Sequence, residues 1–327
     1  MKQRRKYTHK SLALAVMSAI LFTSCHDFFE RNIEDEVVQI VTPSNGNTSS
    51  IYLQRISWNA VKGAREYHLR LATPSFSGIK KELLDTIITA TSFQYMLEPN
   101  KYQLSIVAQN AGYQSKETVV SFEITESYDL SQQEMNPKQP LNLAATNATT
   151  ITFAWDNIHG AESYVFEIFD ATGKSVCGAF PLSSSTFTIP SSSPKIEQLG
   201  EQAYSWRIFA KNEISSSKAT VSRFTIDRTA PAKLVSLAPK DIDTSLVLGV
   251  AFKWAKAADK GTPIVDSIFI AKDQNFSSML AADKCSNNAF TFTFPSQSAT
   301  YYWKVKQLDA AGNATESNTR KLLIQPR

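Results

Sequence analysis

The sequence predicts an all-β chain of three tandem β-sandwiches behind an export signal. Three observations carry that reading. A tryptophan-centred segment returns at intervals of 97 and 99 residues, as Trp58, Trp155 and Trp254. Short runs alternate large apolar with polar residues, the period of a strand with one buried face. No stretch after the first 24 residues sustains a helical period.

The first element is the signal. Lys2, Arg4, Arg5, Lys6 and Lys10 form a positive start, and an apolar stretch from Leu12 to Phe22 follows. That stretch is too short to span a bilayer as a stable helix. It ends in Leu21-Phe22-Thr23-Ser24-Cys25, which resembles the lipobox of bacterial lipoproteins; Phe22 departs from the smaller aliphatic residue of the tightest form. The resemblance implies that residues 1–24 are a removed signal and that Cys25 is the acylated first residue. At roughly 0.8 kcal/mol per buried methylene, several acyl chains hold a protein on a membrane permanently. His26 stands where an aspartate retains some lipoproteins at the inner membrane. Asp27-Phe28-Phe29-Glu30 resembles the acidic signal that sends others to the outer face of the outer membrane, and also suits a solvated tether, here assigned to 25–36. The expected location is the outer membrane, lipid-anchored and exposed at the cell surface, with the periplasmic face as the alternative.

Charge excludes one class of partner. The chain has 34 Lys and Arg against 30 Asp and Glu, but five of the basic residues lie in the signal. The remainder holds 29 basic and 30 acidic residues, which removes any electrostatic case for nucleic acid.

The repeat organises the rest. Trp58 to Leu71 and Trp155 to Ile168 share tryptophan, Gly-Ala and tyrosine (Tyr67, Tyr164) at identical offsets. A second segment reads Tyr102 to Asn110, Tyr204 to Asn212 and Tyr301 to Asp309, each copy leading into a turn. Phe122-Ile124, Phe224-Ile226 and Leu322-Ile324 mark closing strands. Further alternating runs, Phe187-Thr188-Ile189 and Phe290 to Phe294, fill each unit with short strands at sandwich spacing. These units resemble fibronectin type III or related immunoglobulin-like domains. The expected boundaries are 37–126, 140–227 and 228–327, with a polar linker at 127–139. In the third unit Asp266 takes the place of Tyr67 and the loop Ala257 to Pro263 is longer, which leaves its subtype open. Ile226-Asp227-Arg228-Thr229-Ala230-Pro231 resembles the short join between bacterial tandem sandwiches and implies a fixed orientation of units two and three.

No catalytic constellation is legible. Of the four histidines, His9 leaves with the signal, His26 lies in the tether, His68 alternates outward beside Tyr67, and His159 precedes a turn glycine. No serine or cysteine stands in a nucleophile motif. Cys177 and Cys285 fall in different units and read as free thiols. Asp227, Asp309, Asn313 and Glu316 resemble calcium positions at the joints of bacterial adhesin repeats, but linker and hairpin-turn roles explain them better, so neither metal nor cofactor is expected. All five tryptophans occupy repeat framework positions, where a core role is expected. An exposed aromatic platform would therefore rest on Phe76, Tyr113, Phe180, Phe269 or Tyr302. The leading expectation is a non-catalytic, membrane-anchored envelope protein that displays its sandwiches to a macromolecular partner, in adhesion or in binding an envelope protein. The alternatives are an accessory glycan-binding lipoprotein of a polysaccharide-uptake system and a periplasmic spacer.

Overall fold

The computed structural model describes residues 30–326 apart from 193, 259 and 260. The signal, Cys25, His9, His26 and residues 27–29 of the acidic segment lie outside the described residues. Strands and turns make up the described chain, with one short 3-10 turn at Phe76–Gly78. No described helix is long and apolar enough to cross a membrane.

In the first unit β1 (Ile40–Thr42), β3 (Leu53–Trp58) and β6 (Ser92–Met96) form one sheet. The second sheet runs β2 (Asn47–Ser49), β8 (Thr118–Ile124), β7 (Asn100–Gln109), β4 (Glu66–Thr73), β5 (Lys81–Ile88). Leu69, Leu71, Leu104 and Ile106 on the second sheet and Ile56 and Trp58 on the first are all buried. The other strand pairs of the unit are antiparallel, while β2 runs parallel to β8, so the opening β1–β2 segment is shared between both sheets.

Unit two repeats it. β9 (Pro137–Gln139), β11 (Ile151–Trp155) and β14 (Thr186–Ile189) face the sheet β10 (Ala144–Thr146), β18 (Thr220–Ile226), β17 (Gln202–Lys211), β12 (Ser163–Phe169), β13 (Phe180–Leu182). A small hairpin of β15 (Ser191–Ser192) and β16 (Lys195–Ile196) is added. Its core is aromatic: Phe153 packs edge-on against Phe166, Trp206 and Phe224. Edge-to-face contact suits ring quadrupoles.

Unit three has β19 (Leu234–Ala238), β21 (Gly249–Lys256) and β24 (Ala289–Thr293) against the sheet β20 (Asp243–Ser245), β27 (Arg320–Ile324), β25 (Ala299–Asp309), β22 (Ile264–Ala271), β23 (Met279–Cys285). β26 (Ala314–Glu316) also pairs with β25. The core gathers Phe252, Trp254, Ile268, Ile270, Trp303, Val305 and Ile324. Buried Asp266 occupies the position held by tyrosine elsewhere. Tyr67 and Tyr164 each accept the backbone N–H of Val61 or Ile158 through the phenol oxygen. Asp266 instead accepts the Trp254 indole N–H at 2.6 Å and pairs with Lys256 at 3.0 Å.

Two boundaries differ from the sequence expectation. The sequence places the tether at 25–36, yet Ile33 is fully buried and Arg31 is bound to Asn110, so the first sandwich packs from Glu30 onward. Residues 127–139 read as a linker because they are polar, yet Leu130 and Met135 are buried and Lys218 donates to the Gln133 carbonyl. They open the second sandwich. Two apolar residues carry each opening, Ile33 with Val38 and Leu130 with Met135, and the 97-residue repeat relates them. The intervening polar residues hid that pair.

One device recurs in all three sandwiches where the first strand switches sheets. Pro43-Ser44-Asn45-Gly46, Pro140-Leu141-Asn142-Leu143 and Pro239-Lys240-Asp241-Ile242 share a Pro-x-Asx pattern. The Asx side chain accepts the N–H of Ser121, Arg223 or Lys321 on the last main strand. The next residue sits at positive φ, 77° at Gly46, 65° at Leu143 and 59° at Ile242, and donates its own N–H back to the same partner.

Candidate functional site

The five candidate aromatics are each half-buried, and the structure brings together only two of them, Phe269 and Tyr302. Phe76 lies in the 3-10 turn; its N–H donates to Gln103, and the Arg70 guanidinium stands over its ring at 5.1 Å. Gln103 lines a groove of about 380 Å³ with Ser75, Lys101 and Ser121. Tyr113 lies in the turn after β7, fixed by its N–H to Asn110. Phe180 borders a groove of about 460 Å³ with Glu162, Lys211 and Glu213, but its ring packs on Phe166 and Phe187 as an extension of the core.

Phe269 and Tyr302 are brought together. Phe269 on β22 faces Lys304 on β25, and Tyr302 faces Ala271, so the two rings are diagonal neighbours on the outer face of the third sandwich. Such neighbours lie about 7–8 Å apart, within reach of one extended ligand. Lys304 stands between the rings of Phe269 and Phe276, at 6.0 and 5.0 Å, and pairs with Glu316 at 2.7 Å.

Phe276 was not legible as a site residue. It occupies a loop held by Asp273, whose carboxylate accepts the N–H groups of Asn275, Ser277 and Ser278. Those bonds, from Ser277 and Ser278 above all, hold the Asp273 carboxyl below its ordinary range. The loop places Phe276 at φ 58°, a conformation that disfavours a bulky residue. An aspartate three residues before an aromatic was the available signal. The assembled face thus offers three flat rings, a cation and a carboxylate, suited to apolar contact flanked by directional hydrogen bonds.

The acidic positions are engaged internally. Asp227 accepts the N–H and hydroxyl of Thr262 at 2.7 and 3.0 Å and the N–H of Thr229. Asp309 accepts both the backbone and the side-chain N–H of Asn313. Glu316 pairs with Lys304 and Lys306. Among the described residues no group of three His, Cys, Asp or Glu is placed to hold a metal ion.

Asp227 instead builds a joint. Its carbonyl accepts Asn313 Nδ2, while Arg228 binds the carbonyls of Ala148 and Leu199 and Thr315 binds that of Pro231. The longer loop of the third sandwich supplies Thr262, so its extra length is spent on this contact. Sandwiches two and three belong to one compact unit.

The described histidines and thiols are placed apart from this face. His68 lies 2.6 Å from Asp85 on the outer face of the first sandwich, and His159 packs against Tyr128. Cys177 and Cys285 are free, and burial pushes both thiols up, away from the thiolate a nucleophile needs. All five tryptophans are buried, as expected of framework positions.

No protein-family model matches the chain, and no curated protein does. Solved structures do. The chain is similar to the FN1-FN3 domains of chicken CNTN1, at 13% identity and a TM-score of 0.44, covering 88% of this chain and 98% of that one. A two-domain fibronectin type III segment of chicken tenascin matches at 16% identity, covering 60% and 99%, with a TM-score of 0.22. The fibronectin(III)-like modules of Clostridium thermocellum CbhA match at 12% identity, covering 58% and 94%, also with a TM-score of 0.22. Identities and TM-scores this low assign no family, and the strand pairing itself makes the chain one of tandem all-β sandwiches.

Proposed function

We propose that this protein is a non-catalytic, lipid-anchored component of a bacterial cell envelope, held on the outer membrane through Cys25 and exposed at the surface. It binds a macromolecular partner, an envelope or adhesion protein, through the outer face of its third sandwich. The observation that supports this reading is the gathering of Phe269, Phe276 and Tyr302 around the Lys304–Glu316 pair. Interfaces concentrate their binding energy in such half-buried aromatics beside charged groups. The test is co-purification from detergent-solubilised envelopes using wild type and the Phe269→Ala/Tyr302→Ala variant. A partner retained by wild type and lost by the variant is the expected result; equal retention contradicts the assignment of this face.

A second reading is favoured by one feature of the same face. Two flat rings at diagonal spacing, with Lys304 and Glu316 as hydrogen-bonding groups, also suit a glycan, as in an accessory protein of polysaccharide uptake. Soluble glycans would then raise the melting temperature of wild type, since a ligand of the folded state stabilises it, and would leave the double variant unmoved.

A further inference from the structure

The first sandwich begins close to the anchor. Glu30 pairs with Arg65 at 2.7 Å, and the Arg31 carbonyl accepts Asn110 Nδ2 at 2.9 Å. Asn110 also binds the Gly63 carbonyl, while its own Oδ1 accepts the N–H groups of Gly112 and Tyr113. The entering chain is thus clamped between the turn at 61–64 and the turn at 110–113, at one end of the sandwich. Gly63 reflects this closeness: at φ 97°, a Cβ placed there would meet the Arg31 side chain at 2.9 Å.

Four residues, 26 to 29, separate Cys25 from this clamp. A chain spans at most ~3.5 Å per residue, so Glu30 lies within about 18 Å of Cys25. The headgroup layer above the hydrocarbon takes up about 5–7 Å of that reach. We infer that the end of the first sandwich formed by 61–65 and 110–113 docks on the headgroup layer of the bilayer holding Cys25; the inference rests on the acylation proposed above. The rim chemistry suits that surface. Lys62 is exposed and Tyr113 is half-exposed beside the Glu30–Arg65 pair, and a lysine with an amphipathic tyrosine favours phospholipid headgroups. That end is therefore closed to a macromolecular partner, and the opposite end, where β7 starts at Asn100, points away. Ten residues of β7 separate the ends, about 30 Å at strand rise.

The test uses the full acylated protein in vesicles of phosphatidylethanolamine, phosphatidylglycerol and a nickel-chelating lipid. A nitroxide is attached to Ala111→Cys or Lys101→Cys, each in a Cys177→Ser background, and relaxation enhancement by headgroup nickel is read. Docking predicts strong enhancement at 111 and its loss at 101. A long Gly-Ser insertion between positions 29 and 30 should abolish the enhancement at 111 while the protein still floats with the vesicles. Flotation and the mass of the amino-terminal peptide report the anchor separately. An acylated, floating protein with no enhancement at 111, or equal enhancement at both positions, overturns the docking alone. Failure to acylate or to float overturns the anchor itself, and the docking with it.

Discussion

The Trp254 indole donates its N–H to the Asp266 carboxylate, and Lys256 reaches the other carboxylate oxygen. Among the five tryptophans, Trp254 alone has its indole satisfied in this way; those of Trp58, Trp155, Trp206 and Trp303 find no acceptor among the described residues. Replacing tyrosine by aspartate in the third sandwich therefore exchanges a loop-bracing phenol for a buried ion pair. Lys256 keeps some exposure, whereas Asp266 has none.

The two partners should respond unequally to mutation. Lys256→Met leaves a buried carboxylate without its counter-ion and should cost the third sandwich about 3 kcal/mol. Adding Asp266→Asn removes that charge and should recover most of the loss. Hydrogen exchange across residues 249–271 checks both, and an additive double variant would contradict the coupling.

Leu143 and Ile242 hold φ values that cost a non-glycine residue about 1–2 kcal/mol. Both side chains are mostly exposed, so little packing offsets that cost. Leu143→Gly and Ile242→Gly should each stabilise their sandwich by about 1 kcal/mol, less the entropy glycine adds to the unfolded chain. Urea unfolding of each variant measures it. By contrast Asn142→Ala and Asp241→Ala should each cost about 1 kcal/mol by leaving a strand N–H unpaired.

Tyr102 gives the first sandwich an alkaline limit. Burial, aided by Glu98, raises its phenol to about 12 from the ordinary 10.0. With the folded value raised, the stabilisation is complete below pH 10 and is lost as pH climbs toward 12, by on the order of 2 kcal/mol. Tyr102→Phe should flatten that part of the stability profile, at a neutral-pH cost of about 1 kcal/mol for the lost bond to the Glu98 carbonyl.

Asp227 fixes the joint of sandwiches two and three by binding Thr262 while its carbonyl holds Asn313. Asp227→Ala should release the loop at 261–263 and expose the connection at 228–232 to protease, with each sandwich still folded. Limited proteolysis followed by mass spectrometry gives the cleavage site. Unchanged resistance would place the rigidity in Arg228 and its carbonyl partners.

Much of the fold was legible because buried strands leave a period of two and the repeat spacing multiplies the signal. Trp58, Trp155 and Trp254 with their downstream Tyr102, Tyr204 and Tyr301 were enough to place three cores. The entry segments were hidden, since only Ile33, Val38, Leu130 and Met135 face inward among polar residues whose partners are backbone groups. The Pro-x-Asx corners were also present in sequence, but their meaning lies in bonds to Ser121, Arg223 and Lys321, about 80 residues downstream. The candidate face was half legible. Strand parity put Phe269 and Tyr302 outward, while their adjacency depends on the register of β22 against β25, and Phe276 joins them through a loop turn that Asp273 imposes.

The outer face of the third sandwich is proposed to meet a partner in the envelope. A photo-crosslinking phenylalanine analogue at position 302, compared with one at exposed Ile87 on the first sandwich, tests it in living cells. A discrete crosslinked species is expected from position 302, absent from position 87 and lost with Phe269→Ala. No adduct at 302, or the same adduct from both positions, would contradict it.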